Sequence, residues 1–179
     1  MDIRDQKTLI ISTSITRGIK EERFRNCYEG DSKFYRKHGA KARWIKDDVK
    51  ENLSPGECTS VILQMGGNDL QDVFKPDMVT KLANTIIETG QICKDKGIET
   101  VFIGGVPVRS YEYTWERCEQ LNEELKDLCR HYNFVFIDNS EISHKEHLRF
   151  DGVHLNEAGD RLLANNYLDS LRKEFGNES

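Results

Sequence analysis

The chain has 179 residues, of which 37% are hydrophobic and 32% charged, with 3 prolines, 13 glycines and a formal net charge of −5. This length suits one domain, residues 1–179, with one sizeable core, and the composition excludes collagen-like, Pro/Gly-rich and wholly disordered chains. No apolar run approaches the roughly 18 residues of a membrane helix, and the charged start Met1-Asp2-Ile3-Arg4-Asp5 has no secretory apolar stretch.

The first apolar, β-branched run covers 8–11 and leads into the hydroxyl-rich turn Ser12-Thr13-Ser14-Ile15-Thr16-Arg17-Gly18. A weaker run at 33–36 precedes His38-Gly39-Ala40, and a third at 61–65 leads into Gly66-Gly67-Asn68-Asp69. Apolar residues Val79, Leu82, Ala83, Ile86 and Cys93, with Gly90 among them, form one stripe of a helix over 77–95, and Gly97 reads as its stop. The fourth run covers 100–104. Trp115, Cys118, Leu121, Leu125, Leu128 and Tyr132 then repeat the helical period, which puts Trp115 in the core. The fifth run is 134–137, and Leu163, Tyr167, Leu171 and Phe175 mark a last helix with Asn156 as its N-cap.

Strands that alternate with helices predict an α/β fold, a three-layer αβα sandwich around a five-stranded parallel sheet. Ligands of such sheets sit at the carboxyl ends of the strands, in loops 12–18, 37–41, 65–70, 104–114 and 138–156. A serine at a strand-to-helix turn presents its hydroxyl there, and it also serves as an ordinary helix cap. Two glycines before an asparagine let backbone approach a ligand and offer amide donors to a developing oxyanion; a simple turn uses the same residues. Asp151, three residues before His154, can take the imidazole Nδ1–H and fix its tautomer.

Two features lie outside these motifs. Cys27, Cys58, Cys93, Cys118 and Cys129 are odd in number and contain no C-x-x-C pair, which predicts free, mostly buried thiols and a cytoplasmic location. The first 50 residues hold 13 Lys/Arg against 8 Asp/Glu, whereas the remaining 129 hold 13 against 23. A basic N-terminal third attracts phosphates of RNA or an anionic membrane surface when its cations are unpaired, and is otherwise a solvated face.

With Ser14, Gly39, Asn68 and His154 in that order after successive strands, the chain resembles the SGNH (GDSL-like) hydrolases over roughly residues 7–172. The resemblance implies a flavodoxin-like strand order. It also implies a catalytic triad of Ser14, Asp151 and His154, and an oxyanion hole from the Ser14 and Gly39 backbone N–H groups and the Asn68 amide. No cofactor or metal is implied, and the substrate is a small ester or an acetylated lipid. Ser12 and Thr13 stand where the family usually has Gly-Asp, which puts the holding of the nucleophile turn in question. The short, insertion-poor chain with basic residues around Gly39 is most similar to the esterase domain of the first open-reading-frame protein of non-LTR retrotransposons. It is also similar to intracellular platelet-activating-factor acetylhydrolases. Polar ends at residues 1–5 and 176–179, expected to lack structure, suit a domain of a larger protein.

Three other readings compete. His144, His147, Asp151 and His154 have spacing that a metal tolerates. A binding module on the same fold would use the basic third for phosphates. A nucleotide-binding protein would need G-x-G-x-x-G or G-x-x-x-x-G-K-[ST], and neither occurs. Tyr111 and Tyr113 are candidates to line a substrate pocket, and Arg109 is either a solvated loop residue or a contact for an anionic substrate.

Overall fold

The computed structural model describes residues 2–72 and 75–176. Its sheet is built from β1 (Lys7–Ser12), β2 (Asp31–Arg36), β3 (Ser60–Gln64), β4 (Thr100–Gly104) and β5 (Val135–Ile137). The spatial order is β2-β1-β3-β4-β5, with every neighbouring pair parallel. The helices are α1 (Glu21–Cys27), α2 (Ala42–Asn52), α3 (Met78–Asp95), α4 (Trp115–Tyr132) and α5 (Glu157–Phe175). Both the architecture and the strand order agree with the sequence.

Alternation along the strands sorts the core into two layers. Leu9, Ile11, Val61, Leu63, Val101 and Ile103 face α2, α3 and α4. Ile10, Ile62, Phe102 and Ile137 face the other way, onto Phe24 of α1 and Leu163, Tyr167, Leu171 and Phe175 of α5. β1, β3 and β4 are therefore covered on both sides and read as continuous apolar runs. β2 is one of the two edge strands and alternates buried with exposed residues, which is why its apolar run is weak.

The expected boundaries hold to within one or two residues. Asn156 caps α5 by accepting the Gly159 N–H at 3.0 Å, and Gly97, at φ +86°, follows α3. The start of the chain differs from expectation: Ile3–Asp5 form a 3-10 turn capped by Asp2, because Ile3 has a place in the core. Residues 1 and 177–179 lie outside the described residues. Cys58, Cys93, Cys118 and Cys129 are buried free thiols, whereas Cys27 is exposed. Among the described residues no helix is long and apolar enough to cross a membrane.

The strand order reverses beside β1, so the loops after β1 and β3 diverge at their carboxyl ends, where such sheets bind ligands. A buried polar network holds this edge. Gln64 Oε1 accepts from Tyr167 OH at 2.9 Å and from Asn139 Nδ2 at 3.2 Å, while both side-chain amides donate to Gly105 O. Gly104 is required here, since a Cβ would lie 1.9 Å from Gln64 Oε1.

Candidate active site

The β1 turn places Ser14. The Thr13 N–H donates to Gln64 O at 3.2 Å, extending the β1–β3 pairing, and Ser14 then opens a 3-10 turn, Ser14–Thr16. As the first residue of a helical turn, its backbone N–H has no acceptor among the described residues. Ser12, at the end of β1, takes part in a clamp on this turn. Ser12 Oγ and Thr16 Oγ1 share a hydrogen bond of 2.5 Å. Arg36, at the end of β2, donates to Thr16 Oγ1 (3.3 Å) and Ile19 O (2.9 Å) and pairs with Glu21 at 2.6 Å. The Ser14 turn is thus held from the neighbouring strand.

Gly39 lies in the loop between β2 and α2 at φ +69°, a conformation that suits glycine, and its N–H has no acceptor among the described residues. This loop is tied to the loop after β3. Asn68 Nδ2 donates to Ala40 O at 2.9 Å, which uses one of its two hydrogens. Asp69 accepts the Ala42 N–H at 3.1 Å, at the first turn of α2. Gly66, at φ +113°, makes the bend, and its carbonyl accepts the Asp69 and Leu70 N–H groups. Gly67 gives room to Arg109: a Cβ there would lie 2.9 Å from Nη2. The second glycine therefore admits a protein cation.

Asp151 and His154 meet as the spacing predicts. Asp151 Oδ2 accepts from His154 Nδ1 at 2.7 Å, and Oδ1 accepts the backbone N–H groups of Val153 and His154, both at 2.9 Å. These donors, the backbone of His154 foremost, hold the Asp151 carboxyl well below the usual carboxylate range. The His154 ring is thereby set with Nδ1 protonated and Nε2 as the basic nitrogen.

One backbone bond brings two of the loops together. The Ser110 N–H donates to Gly152 O at 3.0 Å, joining the loop after β4 to the Asp151–His154 turn. A small cleft of about 10 Å³ is lined by Thr13, Ile15, Met65, Gly67, Val106 and Arg109, the neighbours of Ser14 and Asn68. Asp151 and His154 are in direct contact, and the Gly39 and Asn68 loops are in contact; no hydrogen bond joins Ser14 to His154 among the described residues.

Some expectations need correction. Trp115 is not core: it is half-buried, its Nε1 donates to Arg109 O at 2.7 Å, and its ring lies 4.6 Å from that of His144. Tyr111 and Tyr113 stack on each other as exposed residues outside the cleft. The histidine cluster does not form, because His147 Nδ1 accepts the Ser143 N–H at 3.0 Å while His154 binds Asp151. Among the described residues no group of three or more His, Cys, Asp or Glu converges on one point. Much of the basic third is neutralised, with Arg25 and Arg36 on Glu21, Lys37 on Asp48 and Lys41 on Asp72. Asp69 and the Gln64–Asn139–Tyr167 network are site-shaping residues that pattern reading missed. A glutamine closing an otherwise apolar strand was their one visible signal.

Asp69 gives a pH prediction. Burial pushes its carboxyl up to about 6 from 3.8, against the Ala42 hydrogen bond that lowers it. The native state thus holds this proton more tightly than the unfolded chain. Its contribution to stability falls as pH rises from about 4 to about 6 and stays lost above that. Asp69→Asn, which keeps an acceptor for the Ala42 N–H, should raise unfolding stability at about pH 8 by up to about 3 kcal/mol. It should make little difference near pH 4, as read by urea titration at both values; a variant less stable at pH 8 contradicts this.

Comparison with known proteins agrees with this fold. The model of the GDSL-like Lipase/Acylhydrolase family matches residues 15–162, a span that includes Asn68, Asp151 and His154 and begins one residue after Ser14. Among solved structures, the chain is similar to a lipase/acylhydrolase from Enterococcus faecalis, with TM-score 0.78, 15% identity, and 97% of this chain and 99% of that one covered. It is similar to a GDSL-like lipase from Bacteroides thetaiotaomicron VPI-5482, with TM-score 0.75, 14% identity, and 94% and 88% covered. It is also similar to a catalytic mutant of an acetylxylan esterase from Geobacillus stearothermophilus, with TM-score 0.74, 18% identity, and 96% of each chain covered. No curated protein sequence matches the chain.

Proposed function

The chain belongs to the GDSL-like lipase/acylhydrolase family, and from that premise we propose that it hydrolyses short-chain, acetyl-type carboxylic esters through an acyl-enzyme on Ser14. The observation that carries this reading is the Asp151–His154 pair, whose 2.7 Å hydrogen bond leaves Nε2 as a base at the edge of the sheet that also carries Ser14. His154 takes the Ser14 proton as Oγ attacks the ester carbonyl, and the imidazolium is stabilised by Asp151. The oxyanion is held by the Ser14 and Gly39 N–H groups and the second Nδ2 hydrogen of Asn68. His154 then protonates the leaving alcohol, and water activated by the same base releases the acid.

Similarity in fold to an acetylxylan esterase from Geobacillus stearothermophilus supports a short acyl group. Residues 1–179 act as one esterase domain in this reading. Its setting in a retrotransposon-encoded protein is supported by the compact form of the chain and the basic residues around Gly39. The test is hydrolysis of p-nitrophenyl acetate, butyrate and octanoate. Acetate should be cleaved fastest and well above the buffer rate; no excess over buffer contradicts the reading.

One observation favours an added role for the basic residues. Arg17, Lys20 and Arg23, which make no ion pair among the described residues, line a groove of about 780 Å³ with Arg149, Asp160 and the Arg161–Glu157 pair. These cations suit phosphates of RNA. A fluorescently labelled single strand should bind more weakly as salt rises, and Lys20→Ala with Arg23→Ala should flatten the log–log salt slope by about 1.4, at about 0.7 per neutralised phosphate. Salt-independent binding, or none, removes this role.

A further inference from the structure

We propose that Arg109 is the positioning residue behind the oxyanion hole, holding and polarising the Asn68 amide and keeping an uncompensated positive charge where the reaction's negative charge appears. The inference deepens the esterase reading of Ser14 and rests on it.

Arg109 follows β4 in a loop, yet only 6% of its surface is exposed. Its Nη2 donates to Asn68 Oδ1 at 2.8 Å, and its buried Nη1 has no hydrogen-bond partner. No carboxylate forms an ion pair with it among the described residues. Asp151 and Asp69 attract it from farther away, and burial pushes its guanidinium down from the ordinary value. A buried cation without a counter-ion is expensive and calls for an explanation.

The geometry supplies one. A guanidinium only donates, so it can face only the oxygen end of the Asn68 amide; a carbonyl only accepts, so Ala40 O can face only the nitrogen end. Both ends of the amide are specified, and the second Nδ2 hydrogen is left for the oxyanion. Donation to Oδ1 draws electron density from the amide and strengthens Nδ2–H as a donor. The missing counter-ion then forms during the reaction: the tetrahedral oxyanion appears beside this charge and disappears with product. An interaction stronger in the transition state than in the ground state raises kcat and leaves KM little changed.

Gly67 is part of the device. Its backbone needs no glycine conformation, but a Cβ there would press on Arg109 Nη2 at 2.9 Å and Nε at 3.3 Å. Trp115 holds the other end by donating to the Arg109 carbonyl.

The test compares p-nitrophenyl acetate kinetics and thermal unfolding of the whole chain as wild type, Ser14→Ala, Arg109→Met, Arg109→Lys, Gly67→Ala, Asn68→Ala and the Asn68→Ala/Arg109→Met double variant. Arg109→Met should lower kcat by about 10²-fold with KM within about threefold, and should unfold at no lower temperature, because an unpaired buried charge is gone. Arg109→Lys should recover about tenfold of the loss. Gly67→Ala, which keeps every charge and displaces the guanidinium, should lose about tenfold. Arg109→Met added to Asn68→Ala should cost less than about threefold more, since it acts through that amide.

Arg109→Met near wild-type kcat, Arg109→Lys as poor as Arg109→Met, or a double variant that loses the product of both single losses overturns the proposal while the esterase reading stands. An Arg109→Met chain that melts early or does not fold assigns the residue a structural role, and the proposal fails if Gly67→Ala is then fully active. Wild type no faster than Ser14→Ala overturns the esterase reading and the proposal with it.

Discussion

Ser14→Ala should lower ester hydrolysis by at least about 10³-fold while leaving the fold intact. The magnitude follows from the chemistry, since without the hydroxyl no acyl-enzyme forms and only binding and oxyanion stabilisation remain. The intact fold follows from the geometry. Ser14 Oγ makes no hydrogen bond among the described residues, whereas the turn is held by Ser12, Thr16 and Arg36. Unfolding temperature should therefore stay within about 2 °C of wild type, the range of a surface substitution. This separates the two roles a serine has at a strand-to-helix turn. A capping serine, once removed, lowers stability and spares activity; a nucleophile does the opposite.

His154→Ala should be as damaging as Ser14→Ala, and combining the two should add little, because the residues act as one unit. Asp151→Asn probes the arrangement more finely, with an expected loss of about 10⁴-fold, the scale of a triad whose histidine is left in the wrong tautomer. The Asn oxygen can still accept the Val153 and His154 N–H groups that Oδ1 accepts now. Its NH2 would then face Nδ1, which must become an acceptor, so the proton moves to Nε2 and the base proposed for Ser14 is lost. The same donors fix the sign of the pH effect. They hold the Asp151 carboxyl below its ordinary value, so its support is fully present above about pH 4 and fades only as the solution becomes more acid. A kcat profile that loses activity near pH 6 would therefore report another group. Activity retained by Asp151→Asn would contradict the assigned roles.

The fold was legible because β1, β3 and β4 are covered on both faces and β-branched, so each appears as an unbroken apolar run. α3, α4 and α5 have 18, 18 and 19 residues, long enough to repeat their stripes several times. α1 and α2 were not located: α1 has 7 residues and buries only Phe24, and α2 buries only Ala42, Ile45 and Val49. At the site, Asp151 and His154 were readable because three residues separate them and local backbone decides their contact. The partners of Arg109, Asp69 and Gln64 lie 27 to 103 residues away in the chain, where no local pattern reports them. The basic surplus overstates the free charge of the N-terminal third for a related reason. Charge counts do not see Glu21, Asp48 and Asp72 folding onto Arg36, Lys37 and Lys41.

The account stands on Ser14 being the atom that attacks. Incubation with a fluorophosphonate, which phosphonylates an activated serine and mimics the tetrahedral intermediate, followed by peptide mass spectrometry, tests this directly. One label per chain is predicted, on the peptide that contains Ser14, with loss of ester hydrolysis in step and no labelling of His154→Ala. Labelling of another residue, or hydrolysis that continues after Ser14 is fully modified, would contradict it.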